Sequence, residues 1–208
     1  MNHYADRFAA GRALAAALTH LRATEPLVLG LPRGGVPVAA EVHRALGGDL
    51  DILLVRKLGV PWQPELAMGA LGEGGIRVLN DDVIRRTGVR REQLAEVERA
   101  ERAELARRVR ALRGGRDPVP MAGRTVILVD DGMATGATMA AACRVVRAQH
   151  PARLVVAVPI SSVEAHAWVS READEVVCPW IPAELGGVGG AYADFHQLED
   201  REVTELLG

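Results

Sequence analysis

One stretch narrows what this 208-residue chain can fold into more than any other. Residues 125–139 read TVILVDDGMATGATM. Residues 126–129 form a short β-branched and aliphatic run without polar interruption, as expected of a strand buried on both faces. Two carboxylates, Asp130 and Asp131, stand at its carboxyl end. A loop follows in which Gly132 and Gly136 bracket Met133, Ala134 and Thr135, and Thr138 then opens an alanine-rich helix. Glycines let backbone approach a ligand, threonine hydroxyls donate, and a helix amino terminus offers unpaired N–H groups with partial positive charge. That combination suits an anion such as phosphate. The acidic pair does not, and suits sugar hydroxyls or a metal ion instead. A phosphorylated sugar would satisfy both halves.

The pattern around this stretch is that of an α/β domain. Apolar runs at 27–31, 51–55, 154–159 and 175–178 alternate with helical patterns at 6–21, 37–46, 138–149 and 163–173. Continuous apolar strands alternating with helices predict a parallel twisted sheet flanked by helices, with the ligand at the carboxyl ends of the strands. The chain is expected to be a single domain over residues 1–208, with a core at about 25–180. Between the second strand and the central one, segments 66–71 and 76–79 joined by GEGG at 72–75 predict a hairpin. Asp81 or Asp82 should cap a short helix ending near Gly88. Residues 91–112 predict a long charged helix. Its Glu/Arg alternation reads as a solvated face, with a lid or partner-binding role as the alternative.

Composition excludes several classes. The formal net charge of −2 argues against bulk nucleic-acid binding. No long apolar run suggests a membrane span or signal peptide, and two unpatterned cysteines, Cys143 and Cys178, suit a reduced cytoplasmic chain. Lys57 is the only lysine, among 25 basic residues. A chain that uses arginine everywhere else and keeps one lysine suggests a place where a compact, mobile ammonium is needed.

Residues 126–138 resemble the phosphoribosyl-pyrophosphate (PRPP) motif of the type I phosphoribosyltransferases: four hydrophobic residues, two acidic ones, then a loop ending in T-G-x-T. The adenine-type version, D-D-x-x-A-T-G-x-T, is the most similar, carried here by Asp130, Asp131, Ala134, Thr135, Gly136 and Thr138. Ala134 stands where hypoxanthine- and guanine-type members carry an aspartate, so that residue cannot protonate a 6-oxopurine. The layout is also similar to predicted bacterial phosphoribosyltransferases with no assigned acceptor. The resemblance implies transfer of the 5-phosphoribosyl group of PRPP to a nitrogen nucleophile, a nucleobase in the first instance, with release of pyrophosphate. That places the chain in nucleotide metabolism, with Mg²⁺ as cofactor and a small-molecule acceptor. A homodimer and no nucleic-acid or membrane partner are expected. A regulator that keeps the PRPP site as a metabolite sensor is the rival reading.

The resemblance also distributes roles. Residues 132–136 and Thr138 would hold the 5′-phosphate. Asp130 and Asp131 would hold the ribose hydroxyls, directly or through Mg²⁺ and water, and count with Lys57 as catalytic. Arg33 and Gly34, in the turn PRGG at 32–35, would meet the pyrophosphate together with Lys57. A nonproline cis peptide is expected at Arg33–Gly34. Residues 58–64 would be a flexible loop closing over the substrate, with Glu65 either catalytic or merely solvated. A hood built from residues 1–24 and 179–208 would bind the acceptor. Trp180, then Tyr192, would be its stacking partners, unless these aromatics with Phe195 only staple the tail to the core.

Overall fold

The computed structural model describes residues 3–208, so Met1 and Asn2, the first two residues of the expected hood, lie outside the described residues. The central sheet contains β1 (Leu27–Gly30), β2 (Asp49–Ile52), β6 (Thr125–Val129), β7 (Arg153–Ala157) and β8 (Glu175–Val177). All pairings are parallel, in the order β2-β1-β6-β7-β8. This is the expected parallel sheet flanked by helices.

Strand alternation supplies two cores. Leu27, Leu29, Val126, Leu128, Leu154 and Val156 pack with α5 (Ala137–Arg147) and α6 (Val163–Val169). Val28, Ile127, Val129 and Val155 pack with α1 (Arg7–Ala17) and α2 (Gly35–Leu46). Successive side chains of a strand point to opposite faces, so a strand covered on both sides must be apolar throughout.

Between β2 and β6 the chain builds a second, antiparallel sheet: β3 (Val55–Val60), β4 (Gln63–Gly72) and β5 (Arg77–Leu79). This corrects two expectations. The second strand ends at Ile52, so Arg56 and Lys57 belong to β3 and not to the parallel sheet. Most of the loop expected at 58–64 is strand, with only Pro61 and Trp62 left as a turn between β3 and β4. Lys57 pairs with Ala70 in that hairpin, whose alternation supplied enough backbone partners to override the Pro and Gly punctuation.

Helix α3 (Asp81–Thr87) is capped by Asn80, whose side chain accepts from the Val83 N–H; Asp81 and Asp82 fill the first turn instead. Helix α4 (Arg91–Arg113) follows. Its Leu94, Val97, Leu105, Val109 and Leu112 close a third core over the small sheet, so the helix is a packed wall on one side and solvated on the other.

Arg113, at the end of α4, is a buried charged residue. It donates to Asp51 at 2.9 Å, to the Ile52 carbonyl at 2.9 Å and to Glu73, tying the two sheets together. The chain ends also meet. The Tyr4 N–H donates to the Ala191 carbonyl at 2.9 Å, and the Ala193 N–H returns to the Tyr4 carbonyl at 2.8 Å. The carboxyl-terminal tail then forms α7 (Asp200–Leu207), which its glycine-rich approach hid from sequence reading. Val203 of α7 is fully buried in the third core. No helix among the described residues is long and apolar enough to cross a membrane.

Candidate active site

The β6–α5 loop lies at the carboxyl edge of the sheet, as expected. It is fastened from below. The Met133 N–H donates to the Ile160 carbonyl at 2.9 Å, the Ser162 N–H returns to Met133, and the Ser162 hydroxyl donates to the Ala134 carbonyl at 2.8 Å. Gly132 is forced by packing: a Cβ there would lie 2.6 Å from Val188 and 2.8 Å from Ile160. On the outer side, Ala134, Thr135 and Thr138 are exposed. The N–H groups of Ala134, Thr135 and Gly136 find no carbonyl among the described residues, and that of Thr138 belongs to the unpaired first turn of α5. Carbonyls fixed inward and amides left outward make a preorganised anion seat.

Asp130 and Asp131 sit beside this loop and crowd each other. Burial pushes the Asp130 carboxyl well above its ordinary value, and the charge of Asp131 pushes it further. Burial also raises Asp131, against the opposing pull of Arg7. Arg7 donates to Asp131 at 2.8 Å and to the His196 carbonyl at 3.0 Å, and its guanidinium lies 4.0 Å from the centre of the Phe195 ring. The Asp131 N–H donates to Asp130 Oδ1 at 2.9 Å. Each carboxylate therefore keeps one oxygen with no protein partner among the described residues.

The β1–α2 loop closes against this pair. A Cβ on Gly34 would fall 1.9 Å from Asp131 Oδ2, so only glycine fits. The nonproline cis bond is at Pro32–Arg33, one residue before the expected Arg33–Gly34. The backbone N–H groups of Arg33 and Gly34 donate to no carbonyl among the described residues. The Arg33 guanidinium, by contrast, turns to the carboxyl terminus, donating to Asp200 at 2.8 Å and to the Leu198 carbonyl at 3.1 Å.

Two cavities open on these loops. The first, about 580 Å³, is bounded by Leu31, Pro32, Arg56, Lys57, Thr138 and Arg108 among others. Lys57 Nζ lies 3.3 Å from the carboxylate of the exposed Glu65. The second, about 540 Å³, adjoins Arg7, Arg33, Gly34, Arg108, Phe195 and His196. Asp130 and Asp131 line neither cavity; Asp131 borders the second through Arg7 and Gly34.

The hood residues are placed differently from the stacking platform anticipated for them. Tyr192 is buried, and its hydroxyl donates to the Asp131 carbonyl at 2.5 Å; burial, above all, drives its pKa upward. Trp180 stacks on His3, with ring centres 4.2 Å apart and an 18° interplanar angle. Sequence reading missed Arg7, Ser162 and Arg108. Ser162 was legible as a helix cap, but its grip on the loop depends on β6 and β7 being neighbours. Arg7 and Arg108 carried no mark among so many arginines.

Residues 3–186 match the family model described as the phosphoribosyl transferase domain. Two Mycobacterium tuberculosis proteins are similar: "Putative phosphoribosyl transferase Rv0571c" of strain H37Rv and "Putative phosphoribosyl transferase MT0597" of strain CDC 1551. Each is 51% identical over 207 residues, which are 100% of this chain and 47% of the relative. The chain thus spans about half the length of the curated relatives it matches. The crystal structure of TT1426 from Thermus thermophilus superposes with a TM-score of 0.93 at 45% identity, covering 100% of this chain and 98% of that one. By sequence and by fold, the chain belongs to the phosphoribosyl transferase domain family.

Proposed function

We propose that the chain transfers the 5-phosphoribosyl group of PRPP to a nitrogen nucleophile, releasing pyrophosphate. The observation that carries this reading is the crowded Asp130–Asp131 pair set beside outward-facing loop amides. Two carboxylates driven above their ordinary pKa by burial, Asp130 also by the charge of Asp131, are costly unless a ligand offsets them. Ribose hydroxyls and a divalent cation are ligands of that kind.

The donor set fits Mg²⁺. Among the described residues no three His, Cys, Asp or Glu side chains converge into a protein-only cage. Mg²⁺ typically takes one or two carboxylates and completes its shell with water and substrate phosphates, and each aspartate has one oxygen to spare. When bound, the ion would offset the charge of the diphosphate.

The remaining work falls to the chain. The amides of residues 134–136 and the Thr135 and Thr138 hydroxyls would hold the 5′-phosphate. The backbone N–H groups of Arg33 and Gly34 would meet the diphosphate, since the Arg33 side chain is engaged elsewhere, and Lys57 would approach it from β3. In the transfer, a nitrogen lone pair forms the C1–N bond while the C1–O bond breaks and pyrophosphate departs with the electron pair. Positive charge develops on the sugar as the anionic pyrophosphate departs, so positioning and electrostatics supply most of the acceleration. Pro61 and Trp62, at the hairpin tip, would shield the reacting carbon from water.

Titration calorimetry with PRPP and Mg²⁺, followed by pyrophosphate release over a panel of nitrogen heterocycles, tests the reading. Metal-dependent binding with acceptor-dependent release is expected. Binding without release across the panel would favour a PRPP sensor, and absence of binding would remove the reading altogether.

A further inference from the structure

The two cavities share two residues, Pro32 and Arg108. Arg108 therefore stands at their junction, with Lys57 and Thr138 on one side and Arg33 and Gly34 on the other. Leu105 and Leu112, three positions before it and four after, are buried in the third core. Arg108 thus rises from the packed side of α4 and not from its solvated side. A helix anchored on that side presents the group from a fixed base.

Its charge is also the one left over. The other arginines and the lysine lining the cavities each have a carboxylate of their own: Arg56 has Glu101 at 2.5 Å, Lys57 has Glu65 at 3.3 Å, Arg7 has Asp131 at 2.8 Å, and Arg33 has Asp200 at 2.8 Å. Arg108 shares its partner. Glu104 accepts from Nε and Nη2 of Arg107, each at 2.8 Å, and from Nε of Arg108 at 3.0 Å. One carboxylate between two guanidiniums leaves one positive charge unmatched. Among the described residues, both terminal nitrogens of Arg108 donate to nothing. Two adjacent N–H groups on one tethered plane match two oxygens of a phosphate. The Arg33 guanidinium, expected to meet the pyrophosphate, is turned to the carboxyl terminus instead. The β1–α2 loop then offers only its backbone N–H groups, and a side-chain guanidinium has to come from another element.

On the reading that the chain transfers phosphoribosyl groups, we propose that Arg108 of α4 is a further catalytic residue, the guanidinium that grips the departing diphosphate. Its terminal nitrogens donate to phosphate oxygens, while the Arg33 and Gly34 amides hold the diphosphate from the sheet side and Lys57 from β3. As the C1–O bond breaks, the electron pair stays on the pyrophosphate oxygen, and Arg108 offsets the charge that collects there. It gives up no proton, because a guanidinium stays charged throughout. The long helix between hairpin and central strand thereby gains a part in the reaction, besides walling the small sheet.

Titration calorimetry with PRPP, pyrophosphate and ribose 5-phosphate, each with saturating Mg²⁺, compares the parent with Arg108→Gln and Arg107→Gln. Arg108→Gln should weaken PRPP and pyrophosphate at least about tenfold, the effect of one hydrogen bond between charged groups, and leave ribose 5-phosphate within about twofold. Arg107 lines neither cavity, so Arg107→Gln takes the same charge from the same helix without the contact and should cost less than about threefold. Arg108→Lys keeps the charge without the paired donors and should recover only part of the loss. Unchanged affinity for PRPP and pyrophosphate in Arg108→Gln would overturn the assignment. An equal loss in Arg107→Gln would overturn it by marking a diffuse field, and an equal loss for ribose 5-phosphate by marking a damaged fold. A parent that binds no PRPP would strike the transfer reading itself, and the assignment with it. The parent alone tells that failure from the others.

Discussion

The half of the site carried by β6 and β1 and the half carried by β3, β4 and α4 are held in place by opposite means. On the β6 side, the loop is pinned by the Ile160 carbonyl and the Ser162 hydroxyl, and glycines at 34 and 132 let packed groups press against it. On the hairpin side, Lys57 meets a glutamate whose side chain is 79% exposed, and Trp62 at the tip is 55% exposed. Exposed ion pairs contribute little, so only the tip of the hairpin is loosely held; Leu58, Val60 and Met68 of its strands are buried in the third core. On the proposed function, the difference suits the sheet to recognition and the hairpin tip to closure, while Arg113 holds the base of the hairpin.

The largest expected effect lies on the rigid half. Asp130→Asn with Asp131→Asn should reduce pyrophosphate release by roughly 10³-fold or more, the order seen when fixed transition-state electrostatics are removed. The same double variant should melt no lower than the parent, and higher if burial is what raises the two carboxyls. The sign follows from linkage. A carboxyl whose folded pKa exceeds its unfolded value costs stability above the folded pKa and loses that cost as pH falls toward the unfolded value. The advantage of the variant in thermal melts should therefore shrink on acidification. A variant that melts well below the parent at neutral pH would show the pair to be structural.

Arg113→Met should come next. It leaves Asp51 and Glu73 buried without their cation, which costs about 3–5 kcal/mol in denaturant unfolding. If the loss stays below about 1 kcal/mol, the clamp is not what holds the small sheet.

Trp180→Ala is expected to lower stability by about 1–3 kcal/mol through lost packing against His3 and its neighbours, with acceptor KM unchanged. A raised KM at constant melting temperature would return Trp180 to the acceptor site. The smallest effect belongs to the moving half. Lys57→Arg should weaken PRPP binding or turnover about tenfold, near 1.4 kcal/mol, because a planar guanidinium cannot follow the swing of the hairpin as an ammonium does. Equal kinetics would make the sole lysine an accident of composition.

The same contrast explains what the sequence revealed. The sheet-borne half was readable because strand, acidic pair and glycine loop are contiguous, so one window of sequence contains the chemistry and its geometry. The parallel order was readable because doubly covered strands must be apolar at every position. The hairpin half was only partly readable. Glycine and proline at 59, 61 and 64 signal a loop locally, and cross-strand pairing of β3 with β4 outweighs them. Arg7, Arg108 and Arg113 escaped for a different reason. Each acts at a site assembled from distant parts of the chain, and one arginine among many carries no local sign of where it will stand.

The contact between Gly34 and Asp131 has a consequence for how such chains drift over generations. A side chain at position 34 would occupy the space of the carboxylate, so the glycine cannot change while the aspartate stays, although the aspartate can change alone. Substitutions that are individually harmless elsewhere become ordered here: the acid must be lost before the glycine can be. A chain that keeps the window around Asp131 but carries a bulkier residue at the place of Gly34 would therefore be a relic, retaining the signature of the site after its geometry has gone. Checking that one remote glycine separates working copies from such relics before any assay is run.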